Sequence, residues 1–332
     1  MKEFDSITGR FAGKRVVIIG DLVADQFVSG AISRVSREAP VFIMRHEETQ
    51  TRAGGAANAA VNVSSLGGKA TLIGLVGDDA NGRLLTEELV RQGVAIEHVV
   101  VDGLITTTTK MRVLTGQQYA PRHQVIRIDY ENSITIENEV RQRLLDRLAE
   151  AGVSADAIVI SDYNYGVAFP EIHAGAKKIA VERKIPLLID SRFRLNSFQG
   201  ATSATPNQEE VEHLMGGAMD DLSCEKLRED LELAALLVTC GNKGMRLYEA
   251  GKTPRIIRAV GSDAAVDVTG AGDTVIAAYS LSLASGHSFF EAARVANHAG
   301  GIVVMKKGTA SVSLDELNAS LRSDMTEAAR SN

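Results

Sequence analysis

The chain of 332 residues is 45% hydrophobic and sets 36 Lys and Arg against 42 Asp and Glu, a net charge of −6, which suits one large α/β domain or two small ones around a sizeable core. No run of five basic residues occurs and no apolar run approaches the ~20 residues of a membrane span, so neither nucleic acid nor membrane is a partner and a cytoplasmic protein is expected. Cys224 and Cys240 are the only cysteines and stand outside any C-x-x-C or His cluster, which excludes a disulfide framework and a zinc site.

Residues 15–20 (RVVIIG) form a β-branched run closing in Gly20-Asp21, the pattern of a buried first strand whose C-terminal end opens toward a site. Residues 27–47 break that pattern, being rich in Val, Ile, Thr and Arg with polar alternation, and residues 107–130 do the same. The two segments are expected to form a small separate sheet that acts as a lid or a dimer surface. Between them, residues 53–68 (AGGAANAAVNVSSLGG) place two glycines before a helix of small residues, and residues 70–76 (ATLIGLV) make a second buried strand. After Ile136, Val140, Leu144, Leu145 and Leu148 recur at helical spacing, a face that packs on a sheet. Further strands are expected at 157–161 (AIVIS), 186–190 (PLLID) and 235–240 (ALLVTC), separated by helix-like stretches. Strands alternating with helices specify a doubly wound, mostly parallel α/β sheet. Without repeats or Pro-rich linkers, residues 1–332 read as one domain with the lid segments inserted in it.

The most informative stretch is 267–274, DVTGAGDT, followed by small apolar residues that suit a buried helix. Gly270, Ala271 and Gly272 then sit at a helix N-terminus, where unpaired N–H groups and the positive dipole end can hold an anion such as a transferring phosphoryl group. Asp273, in the first turn, is placed to accept a proton from an attacking hydroxyl. The plainer reading is a helix start with an N-terminal carboxylate. The upstream D-V-T and the second glycine motif favour catalysis over it. In that second motif Ala56, Ala57, Ala59 and Ala60 read as close-packing residues, while Gly54, Gly55 and Asn58 have room to meet a bound polyol. Asp21 and Asp190 each end an expected strand, where a carboxylate can take hydroxyl hydrogen bonds or simply cap a turn.

AGGAANAAVNVSSLGG and DVTGAGDT resemble the two signatures of the PfkB carbohydrate kinase family, whose members share the ribokinase fold, and the resemblance covers nearly the whole chain. It implies ATP-dependent phosphorylation of a sugar hydroxyl by in-line transfer, with Mg²⁺ as cofactor and a small sugar or sugar phosphate as partner. Stretches such as GDLVADQF, RVSREAPV, SDYNYG and TPNQEEVE are most similar to the branch of the family acting on the anomeric hydroxyl of D-glycero-D-manno-heptose 7-phosphate, a step toward ADP-heptose. Another sugar, a nucleoside, or a non-catalytic sugar-sensing role are the alternatives.

The resemblance makes Asp273 the base and Gly270, Ala271 and Gly272 its anion hole. Asn207 and Glu210 match an N-x-x-E that organises Mg²⁺ through water; Thr239, Gly241, Lys243 and Gly244 match the nucleotide turn, with Asn297 near the adenine. Asp267 and Thr269 fall where many members bind a monovalent cation, implying K⁺. Asp21, Asp25, Gly54, Gly55, Asn58 and Asp190 match polyol-binding positions, and a homodimer joined through the lid is implied. Departures concern the acceptor: Tyr165 stands where the heptose branch has a Lys, and Asp190, Ser191 and Arg192 where it has Asp-Pro-Lys, which leaves Arg192 to replace a missing cation. Lys110, Arg112, Arg127, Arg34 and Arg37 are further phosphate contacts or solvated charges. The 117–123 segment (QQYAPRH) is longer than in the family. No His-x-Gly-His motif of a fused nucleotidylyltransferase occurs, so a separate enzyme is expected for that step.

Other nucleotide folds do not match. Gly20 lacks the G-x-x-G continuation of a Rossmann turn, and no G-x-x-x-x-G-K-[ST] occurs.

Overall fold

The computed structural model describes residues 8–116, 122–132, 136–261 and 265–330, the last six without side chains. Residues 117–121 of the expected long lid loop therefore lie outside the described residues. Nine strands make the main sheet. They are β1 (Arg15–Gly20), β4 (Lys69–Gly77), β5 (Val99–Asp102), β8 (Ala157–Asp162), β9 (Leu187–Ser191), β10 (Ser203–Ala204), β11 (Ala235–Thr239), β12 (Met245–Glu249) and β13 (Arg255–Ile257). Their order is β13-β12-β11-β10-β9-β8-β1-β4-β5, parallel from β5 through β11, with β12 and β13 antiparallel at one edge. Strand order reverses direction beside β1, so the crevice at the carboxyl ends of β1 and β8 is where such sheets bind ligands.

The central strand shows why the sheet is covered on both faces. Val16 and Ile18 point into one apolar cluster and Val17 and Ile19 into the other, all four essentially without exposure. Each such side chain contributes about 1.5–3 kcal/mol through burial. The first cluster is closed by helices α1 (Ala56–Ser65), α7 (Ala271–Ala284), α8 (Phe289–Val303) and α9 (Leu314–Arg330), the second by α3 (Asn138–Gly152), α4 (Pro170–Arg183), α5 (Gln208–Met215) and α6 (Asp221–Asp230). Helix α2 (Ala80–Arg91) follows β4 and packs on the base of the lid. Val140, Leu144 and Leu148 are the buried stripe of α3, as their spacing predicts.

The lid is a separate four-stranded sheet of order β3-β2-β6-β7, built from β2 (Leu22–Val35), β3 (Phe42–Gly55), β6 (Thr109–Gly116) and β7 (His123–Tyr130). Its first hairpin is longer at the base than the expected 27–47 segment, because β2 starts directly after Asp21 and β3 runs to Gly55. The base is buried on both sides and carries no polar alternation, which is why the sequence pattern misses it. This extension places Asp25, Gly54 and Gly55 on the lid's own strands, against the main sheet.

Candidate active site

Helix α7 is buried around nearly its whole circumference from Asp273 to Ser282, so it runs through the core, and Gly272 is exposed at its N-terminus. Gly270 caps it with φ 76°, and a Cβ there would lie 2.5 Å from Asn58 Nδ2, so both conformation and space require glycine. The Ala271 amide donates to Val268 O at 3.2 Å. Ala271 is thus engaged with the turn, while the amides of Gly272 and Asp273 have no acceptor among the described residues. Gly272 is exposed and a Cβ on it would meet nothing within 4 Å, which leaves this end of the dipole open to an anion.

Asp273 is 2% exposed and each of its oxygens has a donor. Asn58 Nδ2 donates to Oδ2 at 2.8 Å and the Tyr163 hydroxyl donates to Oδ1 at 2.7 Å. Burial raises its pKa to about 6 against these two hydrogen bonds; Asp25 adds to the rise and Lys110 opposes it. A carboxyl in that range is largely ionised at neutral pH yet basic enough to take a proton.

Around it stand the residues expected to meet the acceptor. Asp25 accepts from Arg112 Nη1 at 2.5 Å and from Thr309 Oγ1 at 2.9 Å, and a Cβ on Gly54 would lie 2.7 Å from its Oδ2. Asp190 is the penultimate residue of β9; burial first, then the charges of Asp273, Glu210 and Asp162, push its carboxyl up, against the pull of Arg192. Arg192 is exposed beside it. Two of the expected acceptor residues are hydrogen-bonded within the protein. The Asn58 amide, expected to reach a polyol, is spent on Asp273 and on Gly270 O at 3.4 Å. Asp21, also expected to bind the polyol, is 1% exposed and accepts the backbone N–H groups of Tyr163, Tyr165 and Val167 at 2.8–3.0 Å. It holds the turn after β8. Gly55, with φ 59°, is the cap residue of α1.

Of the residues expected to meet the nucleotide, Asn207 and Glu210 form a capping box at the start of α5: Asn207 Oδ1 accepts the Glu210 amide at 2.9 Å and Glu210 Oε2 accepts the Asn207 amide at 2.8 Å. Asn207 also bridges to Thr239 at the end of β11. Gly241 and Lys243 are exposed in the next turn, and Gly244 is buried there with φ 88°. Asn297 is 5% exposed and donates to Arg258 O at 2.7 Å, so it fixes a loop of this region from below. Asp267 accepts the amides of Thr269 and Gly308, each at 2.9 Å. Burial works to raise its pKa, but those bonds outweigh it and keep the carboxyl below its ordinary range.

Three participants carry no sequence expectation: Tyr163 on Asp273, Thr309 on Asp25, and Arg194, which pairs with buried Asp162 at 2.5 Å. An aromatic residue directly after a strand at the sheet's switch point is the one signal that marks Tyr163. Lys110 of β6 lies 5.6 Å from the Tyr163 ring centroid and 5.7 Å from that of Tyr165. Burial lowers its pKa, and Arg192 and Arg127 are among the charges that act on it, as are Asp25 and Asp129.

Residues 14–317 match the model of the pfkB family carbohydrate kinases. The Bifunctional protein HldE of Nitrosococcus oceani is 39% identical over 320 residues, covering 94% of this chain and 64% of that protein. Its namesake from Pelobacter propionicus is 35% identical over 322 residues, covering 95% and 65%. The chain thus spans a little under two thirds of these relatives. Among solved structures, the ribokinase of Arabidopsis thaliana complexed with ribose and ATP superposes with a TM-score of 0.66 at 21% identity, covering 94% of this chain and 98% of that one. The phosphofructokinase-2 of Escherichia coli in complex with potassium gives 0.73 at 18% identity, covering 93% and 98%. At such identities the likeness is one of fold.

Proposed function

Because the chain belongs to the pfkB family of carbohydrate kinases, and so is a phosphotransferase with an alcohol acceptor, we propose that it phosphorylates the anomeric hydroxyl of D-glycero-D-manno-heptose 7-phosphate with ATP, Asp273 being the base. The observation that carries this reading is the pairing of a buried Asp273, held by one donor on each oxygen, with the open N-terminus of its own helix. An acceptor hydroxyl between the two gives its proton to Asp273 while its oxygen attacks the γ-phosphorus in line, and the bond from that phosphorus to the β,γ-bridging oxygen breaks to release ADP. The Gly272 and Asp273 amides face the charge that develops on the phosphoryl oxygens. Asp25 and Asp190 hold the sugar's other hydroxyls, and Arg192 with Lys110 takes an acceptor phosphate.

Magnesium fits the nucleotide side through water. No group of three or more His, Cys, Asp or Glu able to hold a metal occurs among the described residues, and Glu210 keeps a second carboxylate oxygen beyond its capping bond. Mg²⁺ is ordinarily held by one or two carboxylates with phosphate and water; Glu210 and Asn207 would hold it through water, where it would neutralise phosphate charge. The ionised Asp267, with the Thr269 and Gly308 loops folded onto it, suits a monovalent cation. A lid-to-lid homodimer belongs to the same reading, supported by Phe42, Val35, Val41, Val125 and Ile126, all more than half exposed on the lid. No described helix is long and apolar enough to cross a membrane.

ADP release tests the reading with Mg·ATP and heptose 7-phosphate, unphosphorylated heptose, fructose 6-phosphate, fructose, ribose and adenosine. Turnover selective for heptose 7-phosphate is expected. Turnover only with an unphosphorylated sugar would discard that acceptor and keep the kinase, and turnover with none would favour a sugar-sensing role.

A further inference from the structure

We propose that Tyr163 is a positioning residue for Asp273 and links it to the lid, its hydroxyl holding Oδ1 while Lys110 of lid strand β6 lies against its ring. The inference rests on Asp273 being the base. The two donors to Asp273 come from different supports. Asn58 belongs to α1, an almost wholly buried helix, and is braced by Asn62, whose Nδ2 donates to Asn58 Oδ1 at 3.2 Å. Tyr163 stands instead on the turn after β8, and what fixes that turn is Asp21 through its three backbone N–H bonds. The buried carboxylate of Asp21 thereby supports Asp273 through this turn.

With Asn58 on Oδ2 and Tyr163 on Oδ1, the carboxylate plane is set and only its remaining lone pairs can meet an acceptor hydroxyl. The phenol keeps its proton and so donates to the carboxylate, because burial and the charges of Asp273 and Asp190 push its pKa well above the ordinary range. Lys110 then joins the lid to this pair. Its ammonium sits between two tyrosine rings at 5.6 and 5.7 Å, a distance at which a cation is attracted to a ring face. Displacement of β6 takes Lys110 off the Tyr163 ring and its positive charge away from Asp273. The charged groups facing Asp273 are Asp25 of β2, Lys110 of β6 and Asp190 of β9; Arg192 faces Tyr163.

The test compares full-length wild type, Tyr163→Phe, Lys110→Met and Asp273→Asn. One readout is ADP release across pH 5–9 with whichever sugar of the panel the wild type turns over. The other is the ¹³C titration of ¹³Cγ-Asp-labelled protein without substrate, the Asp273 signal being the one lost in Asp273→Asn. Loss of a hydrogen bond to a charged group predicts that Tyr163→Phe lowers kcat roughly 10- to 100-fold with KM for ATP unchanged. Its Asp273 titration moves upward from about 6, because the ionised form loses a donor. Lys110→Met moves it the same way by removing a positive charge, and reports the link should Tyr163→Phe fail to fold. A titration in Tyr163→Phe that stays where the wild type has it overturns the proposal, whatever the activity. Full activity in Asp273→Asn would instead sink the assignment of the base, and the titration, which needs no turnover, still decides the Tyr163 contact.

Discussion

Replacing Asp273 by Asn should stop the enzyme and stabilise the protein. Burial lifts the carboxyl from its ordinary 3.8 to about 6, so the folded protein binds this proton more tightly than the unfolded chain does. The stability contributed by protonation is complete below about 3.8 and is lost as pH rises through about 6. A gap of about two units at roughly 1.4 kcal/mol each makes an ionised Asp273 cost about 3 kcal/mol at pH 7.5, and about half of that at pH 5. Asn keeps the local hydrogen bonds, since its oxygen accepts from Asn58 and its amide donates to the Tyr163 oxygen. Asp273→Asn should therefore exceed the wild type in urea stability at pH 7.5 by up to about 3 kcal/mol, with the gap narrowing toward pH 5. Its kcat should fall by ~10² or more with ATP binding intact. Equal stability at pH 7.5, or a gap that does not change with pH, would refute the raised pKa. A kcat close to wild type would remove Asp273 from proton transfer.

Other substitutions separate the parts of the site. Arg192→Ala should raise KM for a phosphorylated acceptor roughly 10-fold by removing a charge-assisted contact and leave an unphosphorylated sugar unaffected; equal effects on both would deny Arg192 the phosphate. Asn207→Ala removes the cap of α5 and should cost about 1 kcal/mol in a urea melt and raise KM for ATP, so an unshifted midpoint would contradict the capping role. Phe42→Glu should convert a dimer to a monomer by light scattering, and a wild type already monomeric at assay concentration would refute the lid interface.

The parts of this protein that show in its sequence are those whose signal is local. The β-branched run of β1 is flanked by a charge and a glycine, so residues 15–20 are found with the bounds the structure has. DVTGAGDT places Asp273 in the first turn of α7 because glycines and small apolar residues leave little choice of helix start. The lid hairpin is underestimated at its base, where burial on both sides erases alternation. Least visible are the contacts that complete the site. Tyr163 and Asp273 are 110 residues apart and Thr309 and Asp25 are 284 apart, and no periodicity records a hydrogen bond between such positions.

Asp21 and Asp25 show how a resemblance and a structure divide the work. Both are acidic residues in the stretch that follows the first strand, and motif similarity assigns both to the sugar. Strand geometry separates them. Asp21 lies in the one-residue gap between β1 and β2, where its carboxylate turns back onto the neighbouring β8 turn and meets three amides. Asp25 is inside β2, on the lid, where its partners are side chains, Arg112 and Thr309, which a ligand can displace without breaking backbone bonds. A carboxylate held by main-chain amides is a structural acceptor, and one held by movable side chains can exchange them for hydroxyls. Of the two, Asp25 is the residue whose loss should act on the acceptor, while Asp21 acts through the turn that aims Tyr163 at Asp273.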